Sequence, residues 1–174
     1  MIGQLIEQLR SSLATSDSAM RKQWATEIVE RQIALDSLMV LWHGDPGTAQ
    51  RFMWLIGDIC ELDPKTVAPS LPVLFEFRDG MPFPGMPRSV AKWLWLTNVP
   101  RAIEEPAIQQ LFDWLEDPNA SIGCKSYTAK ALQQLALDKR IDKSRLQNAL
   151  VSEIESPNQA YGSRMKKLLM TLEQ

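Results

Sequence analysis

His43 is the only histidine in the 174-residue chain, and it stands before Gly44, where the helical pattern stops. A catalytic histidine needs an acceptor to orient it and a substrate or nucleophile on which to act. A cation at a helix C-terminus is stabilised by about 0.3–1 kcal/mol, and that role accounts for the position. Carboxylates occur in groups: Asp58 with Glu61, Glu104 with Glu105, and Asp113 with Glu116 and Asp117. The three-residue spacing within Asp58/Glu61 and Asp113/Glu116 puts each pair on one helix face. Di-iron proteins complete such a face with histidine, which neither pair has, so they read as solvated faces or caps. Cys60 and Cys124 have no second Cys or His at ligand spacing and read as buried thiols. Phosphate-binding glycine loops, Ser-x-x-Lys, Gly-x-Ser-x-Gly and His-Glu-x-x-His patterns are all missing. The expectation is a chain without catalytic residues, cofactor or metal site.

Binding chemistry is better represented. Six tryptophans are present: Trp24, Trp42, Trp54, Trp93, Trp95 and Trp114. Trp93 and Trp95 lie about 200° apart on one helix and cannot share a face. One reading makes an exposed tryptophan, with Lys92 beside it, a partner anchor, since Trp and Arg are enriched at binding hot spots. The other wedges both between neighbouring helices. The segment Asp79-Gly80-Met81-Pro82-Phe83-Pro84-Gly85-Met86-Pro87 cannot continue a helix. Its Met81, Phe83 and Met86 suit an ordered loop that either recognises a partner or closes a gap between helices. Lys139, Arg140, Lys143 and Arg145 cluster around one turn, and Arg164, Lys166 and Lys167 lie near the end, as a solvated face or a basic stripe. The residues selected for partner contact are Trp93, Trp95, Phe83, Met86, Lys92, Arg140 and Lys143.

Composition bounds the rest. An apolar fraction of 45% with 23% charged residues is that of an ordinary globular chain, long enough for a core without disulfide or metal staples. The net charge of −2 provides no global field for phosphate backbones, which argues against nucleic acid as the partner. Residues 1–80 carry 7 basic and 11 acidic side chains, and residues 81–174 carry 12 and 10. That asymmetry admits a homo-oligomer as a further reading. No apolar run reaches membrane-spanning length, and the N-terminus lacks a signal-peptide pattern, so a cytoplasmic location is expected. Asn119-Ala120-Ser121 spells a glycosylation sequon that such a location leaves unused.

Apolar residues recur at steps of three and four nearly throughout, the mark of one helix face. Asp45-Pro46 and Asp63-Pro64 each pair an N-cap acceptor with proline at the first helical position. Pro106 follows Glu104 and Glu105, whose charge suits a helix N-terminus. The pattern predicts helices at about 2–14, 18–30, 32–43, 46–62, 66–78, 87–98, 104–116, 121–137, 143–155 and 158–173. Short connections make neighbours antiparallel.

Leu71, Ile108 and Leu146 fall 37 and 38 residues apart, as do Leu74, Leu111 and Ala149, and Phe75, Phe112 and Leu150. The stretches Phe52–Leu62, Val90–Val99 and Ala129–Leu137 precede them in turn. The unit is two helices and a turn, which must stack to hide its apolar faces. Leu115-Glu116-Asp117-Pro118-Asn119-Ala120-Ser121-Ile122, followed by Ala129, Ala131, Leu132 and Leu135, resembles the start of a HEAT repeat. That family places an aspartate and small polar residues before the first helix, a branched residue at its opening, and alanine and leucine inside. The resemblance covers 46–155 loosely and this segment well; Gly123 stands where a basic residue often follows.

The resemblance implies an all-α, right-handed α-α superhelix of about four to five antiparallel helix pairs, HEAT/armadillo-like. Residues 1–174 form one domain in this reading: 1–43 N-terminal cap helices, 46–155 repeat core, and 158–173 C-terminal capping helix. The function expected is a non-catalytic scaffold presenting a curved helical surface to a protein or peptide. The alternative is a nucleic-acid-binding or base-processing protein of the HEAT-like glycosylase kind, a likeness of fold class alone.

Overall fold

The computed structural model describes residues 2–79 and 84–173. All regular structure in them is helical. The α-helices are α1 Ile2–Ser12, α2 Ser18–Glu30, α3 Pro46–Leu62, α4 Pro64–Val67, α5 Leu71–Glu76, α6 Met86–Leu96, α7 Glu104–Glu116, α8 Ile122–Leu137, α9 Lys143–Ile154 and α10 Gln159–Glu173. No described helix is long and apolar enough to cross a membrane. Two compact units divide the chain, Met1–Ser89 and Val90–Gln174.

In the first unit α2 packs along α3, and α3 also meets the turns at 13–15 and 35–41. Leu5, Leu9 and Leu13 descend at four-residue steps into a core shared with Ile28, Phe52, Leu55, Ile56 and Ile59, all with at most 1% exposure. Burial of such side chains stabilises by about 1.5–3 kcal/mol each. Side chains cap these helices, Asp45 and Asp63 as the sequence predicts and Asp17 in addition. Asp17 accepts from the Met20 N–H. Asp45 accepts from the Thr48 N–H at 3.0 Å and its hydroxyl at 2.5 Å, which holds the Asp45 carboxyl below its usual pKa. Asp63 receives the Lys65 N–H and the Thr66 hydroxyl.

Two expected helices differ. The stretch predicted at 32–43 is a 3₁₀ helix over Leu35–Leu41. Leu35, Leu38 and Leu41 are all fully buried, and their strict three-residue spacing aligns them on one ridge only at three residues per turn. The stretch predicted at 66–78 is broken into α4, a 3₁₀ turn Ala68–Ser70, α5 and a further turn Phe77–Asp79. Pro69 and Pro72 each remove a backbone donor there and segment it. Of the proline-rich loop, Gly80–Phe83 lie outside the described residues, and Met86 opens α6.

In the second unit α7 packs on α8, α8 on α9, and α10 on both α8 and α9. Ser121 caps α8 by accepting from the Cys124 N–H, and Asp142 caps α9 by accepting from the Ser144 N–H. At the positions spaced by 37 and 38 residues, Leu71, Leu74, Phe75, Leu111, Phe112, Leu146, Ala149 and Leu150 are all buried, while Ile108 is half-buried. Both cysteines are buried as expected, and burial pushes the Cys124 thiol up to about 11.

The α9–α10 crossing depends on Gly162. A Cβ built there would lie 2.5 Å from the backbone oxygen of Ile154, which cannot rotate aside. Gly162→Ala therefore sets a gain in helix propensity of about 1 kcal/mol against displacement of packed backbone costing about 1–3 kcal/mol. Urea unfolding should show a lower midpoint for the variant. A raised midpoint would mean that the crossing is looser than this contact implies.

Candidate functional site

Three groups of side chains in the second unit bring together what the sequence left separate. The first is an aromatic stack at its surface. Trp95 of α6 and Tyr127 of α8 lie with ring centroids 5.7 Å apart and planes 29° from parallel. The Lys130 ammonium sits 4.3 Å from the Trp95 ring centre and 5.6 Å from that of Tyr127. One helical turn from Trp95 stands Lys92. All four residues are half-buried, so each ring packs one part of its surface and presents the rest. Trp93 takes the other side of α6 and is fully buried. Its indole N–H is enclosed without a hydrogen-bond partner, a condition that costs about 1–3 kcal/mol.

The second group centres on Arg140, whose side chain is 7% exposed. Its Nε donates to Glu104 Oε1 at 2.7 Å, Nη1 to the Asn98 carbonyl at 2.7 Å, and Nη2 to the Val99 carbonyl at 2.5 Å. These carbonyls belong to consecutive left-handed residues, Asn98 at φ 55° and Val99 at φ 41°. Asparagine tolerates that region, whereas a β-branched valine there is strained by about 1–3 kcal/mol. The guanidinium satisfies both carbonyls and so offsets the strain. Hydrogen bonds from Arg140 first, and then Arg101, lower the pKa of Glu104. An open groove of about 920 Å³ runs past Arg101, Glu105, Ile108 and Arg145, with the Arg145 guanidinium 3.8 Å over the Phe112 ring.

The third group joins α8, α9 and α10. Lys125 Nζ donates to Glu153 Oε1 at 2.7 Å, and the Tyr161 hydroxyl donates to Glu153 Oε2 at 2.8 Å. The Lys125 and Glu153 side chains are 10% and 13% exposed. Burial, and next its bond to Glu153, raise the Tyr161 pKa beyond its ordinary range, so the phenol stays a donor.

In the first unit Trp54 is 38% exposed, with the Arg51 guanidinium 4.5 Å and that of Arg21 5.3 Å from its ring centre. Arg21 also donates to Asp58 at 3.1 Å. His43 is exposed and meets Phe77 edge-on at 5.7 Å. Among the described residues no group of three or more His, Cys, Asp or Glu could hold a metal ion.

Of the residues selected for partner contact, Trp95 and Lys92 stand together at the aromatic stack. Trp93 and Met86 are buried, Arg140 is engaged by Glu104 and the 98–99 turn, and Lys143 is exposed on α9. Phe83 lies outside the described residues. Sequence reasoning missed Tyr127 and Lys130, whose three-residue spacing on α8 was the available signal. It also missed Arg51 and Trp54, a like pair on α3.

Two predictions follow from these geometries. Lys125→Met strands a buried carboxylate and should cost about 3–5 kcal/mol. Adding Glu153→Leu should recover part of that in a double-mutant cycle, the remainder being lost because the buried Tyr161 hydroxyl then lacks its acceptor; strictly additive losses would show that the pair is not coupled. For Glu104, the folded pKa lies below its usual 4.5. Its stabilising contribution is therefore complete above about pH 4.5 and lost as the pH falls through the lowered value. A melting series between about pH 6 and 3 should fall more steeply for the wild type than for Glu104→Gln; parallel slopes would count against the ion pair.

No family model, curated protein or solved structure matches this chain.

Proposed function

We propose that the chain is a non-catalytic scaffold that binds a protein or peptide through a helical surface, in a domain of the HEAT/armadillo type. The observation that carries this reading is the half-exposed Trp95–Tyr127 stack with Lys130 above it and Lys92 one turn away. Tryptophan and tyrosine dominate interface hot spots because each offers a large contact area on a side chain with few rotors. Neighbouring α6 and α8 hold both rings in place, so a partner meets a surface that is already ordered, which lowers the entropic cost of association.

The interval of 37 and 38 residues supports the helical-repeat part of the reading, because eight of the nine positions in the three stretches are buried and the ninth, Ile108, is half-buried. The nucleic-acid alternative is less favoured. Arg140, a member of its basic stripe, spends its guanidinium on Glu104 and two carbonyls, and a buried engaged cation releases no phosphate counterion.

Affinity capture from the native cell, quantified by mass spectrometry, should compare the wild type with Trp95→Ala and Lys130→Ala. A partner protein retained by the wild type and depleted at least about tenfold with Trp95→Ala is expected, the scale of a hot-spot residue. Identical profiles for wild type and variants would overturn the assignment of this surface. Enrichment of nucleic acid that vanishes as salt rises to about 0.2 M would favour the alternative.

A further inference from the structure

A second surface of the Val90–Gln174 unit has a composition that selects a particular ligand. Where the α7–α8 turn lies beside the α9–α10 turn, a groove of about 780 Å³ opens. Pro118, Ile122 and Pro157 give it an apolar lining, and all three are exposed, Ile122 by 37%. Its inner side is formed by Lys125, Glu153 and Tyr161, whose charges and donors are mutually satisfied. Two further carboxylates line the groove, Glu116 and Glu155, both exposed.

Those two carboxylates stand at the wrong ends of their helices. Glu116 is the last residue of α7 and Glu155 caps the C-terminus of α9, where the helix macrodipole already places partial negative charge. A cation would be favoured at either position on stability grounds. Instead two carboxylates flank the groove, and because the N-termini of α8 and α10 open onto it beside the C-termini of α7 and α9, the opposite end-charges offset and the carboxylates themselves carry its negative field. Lys125 cannot neutralise them, since Glu153 holds it at 2.7 Å.

We propose that this groove binds a peptide segment in which arginine or lysine alternates with apolar residues, its cations meeting Glu116 and Glu155 and its apolar side chains lying on Ile122 and the two prolines. Extended peptides carry alternate side chains on opposite sides, so a groove with apolar lining and acidic side chains reads such a pattern from both directions. This groove is separate from the Trp95–Tyr127 surface, and either can fail without the other.

The test is fluorescence anisotropy on the full chain with a labelled nonapeptide of alternating arginine and leucine. Two controls replace arginine by glutamate, or leucine by serine. The wild type should bind the arginine–leucine probe saturably and at least about tenfold more tightly than either control. The double variant Glu116→Lys, Glu155→Lys should weaken binding at least about tenfold. Its melting temperature should hold or rise, because both new cations suit helix C-termini, so loss of binding is not loss of fold. Trp95→Ala should bind the probe like the wild type. Equal binding of the probe and the glutamate control, or of the wild type and the double variant, would overturn the proposal. Equal binding of the serine control would reduce it to surface electrostatics and overturn the groove.

Discussion

Each α-helix leaves up to four N–H and four C=O groups without intrahelical partners, and a chain that folds almost entirely into short helices multiplies those ends. Their satisfaction is the constraint on which the rest depends. At the N-termini Asp17, Asp45, Asp63, Ser121 and Asp142 supply side-chain acceptors. At three C-termini the chain turns through a left-handed residue, Gln32, Asn98 or Lys139. The following N–H then reaches back to a carbonyl of the last turn: Ile33 to Ile28, Val99 to Leu94 and Arg140 to Leu135. None of the three is glycine, so each accepts a backbone penalty to close its helix.

Arg140 shows how this local accounting becomes tertiary. It follows the left-handed Lys139 that ends α8, and its guanidinium satisfies the carbonyls exposed where α6 ends. It also binds Glu104 at the first residue of α7, so one side chain ties together the ends of three helices. Lys125, Glu153 and Tyr161 do the same for α8, α9 and α10, and Arg21 with Asp58 for α2 and α3. Such pairs add little net stability once their desolvation is counted. Breaking one is costly, however, so they specify which helices lie together.

The same economy separates the charges that hold the fold from those that the proposed partner surfaces would use. Cations engaged by carboxylates or carbonyls hold the fold. Arg51 over Trp54 and Lys130 over Trp95 rest on aromatic rings that are exposed or half-buried. A cation over such a ring keeps its hydrogen-bonding capacity while gaining part of the ring's field, which is the chemistry expected of a recognition surface. Glu116 and Glu155 make the complementary case, since their positions oppose the helix dipoles instead of completing them.

Helical class, most helix bounds and the Asp45 and Asp63 caps were legible from the residues alone, because periodicity and capping act over three or four positions. Asp45-Pro46 and Asp63-Pro64 are the plainest cases. The Leu35–Leu38–Leu41 ridge was also written locally, but a three-residue period is easily taken for part of a 3.6-residue one. Tertiary structure alone decided which tryptophans face outward. Trp93 and Trp95 are equally apolar in sequence, yet Trp93 is fully buried on one side of α6 while Trp95 on the other side is stacked on Tyr127 of α8. It likewise decided the fate of Arg140, whose partners lie 36 to 42 residues away. Local spacing could not distinguish a solvated cation from one that closes three helix ends, because partnership at that distance is set by how helices cross and not by their own period.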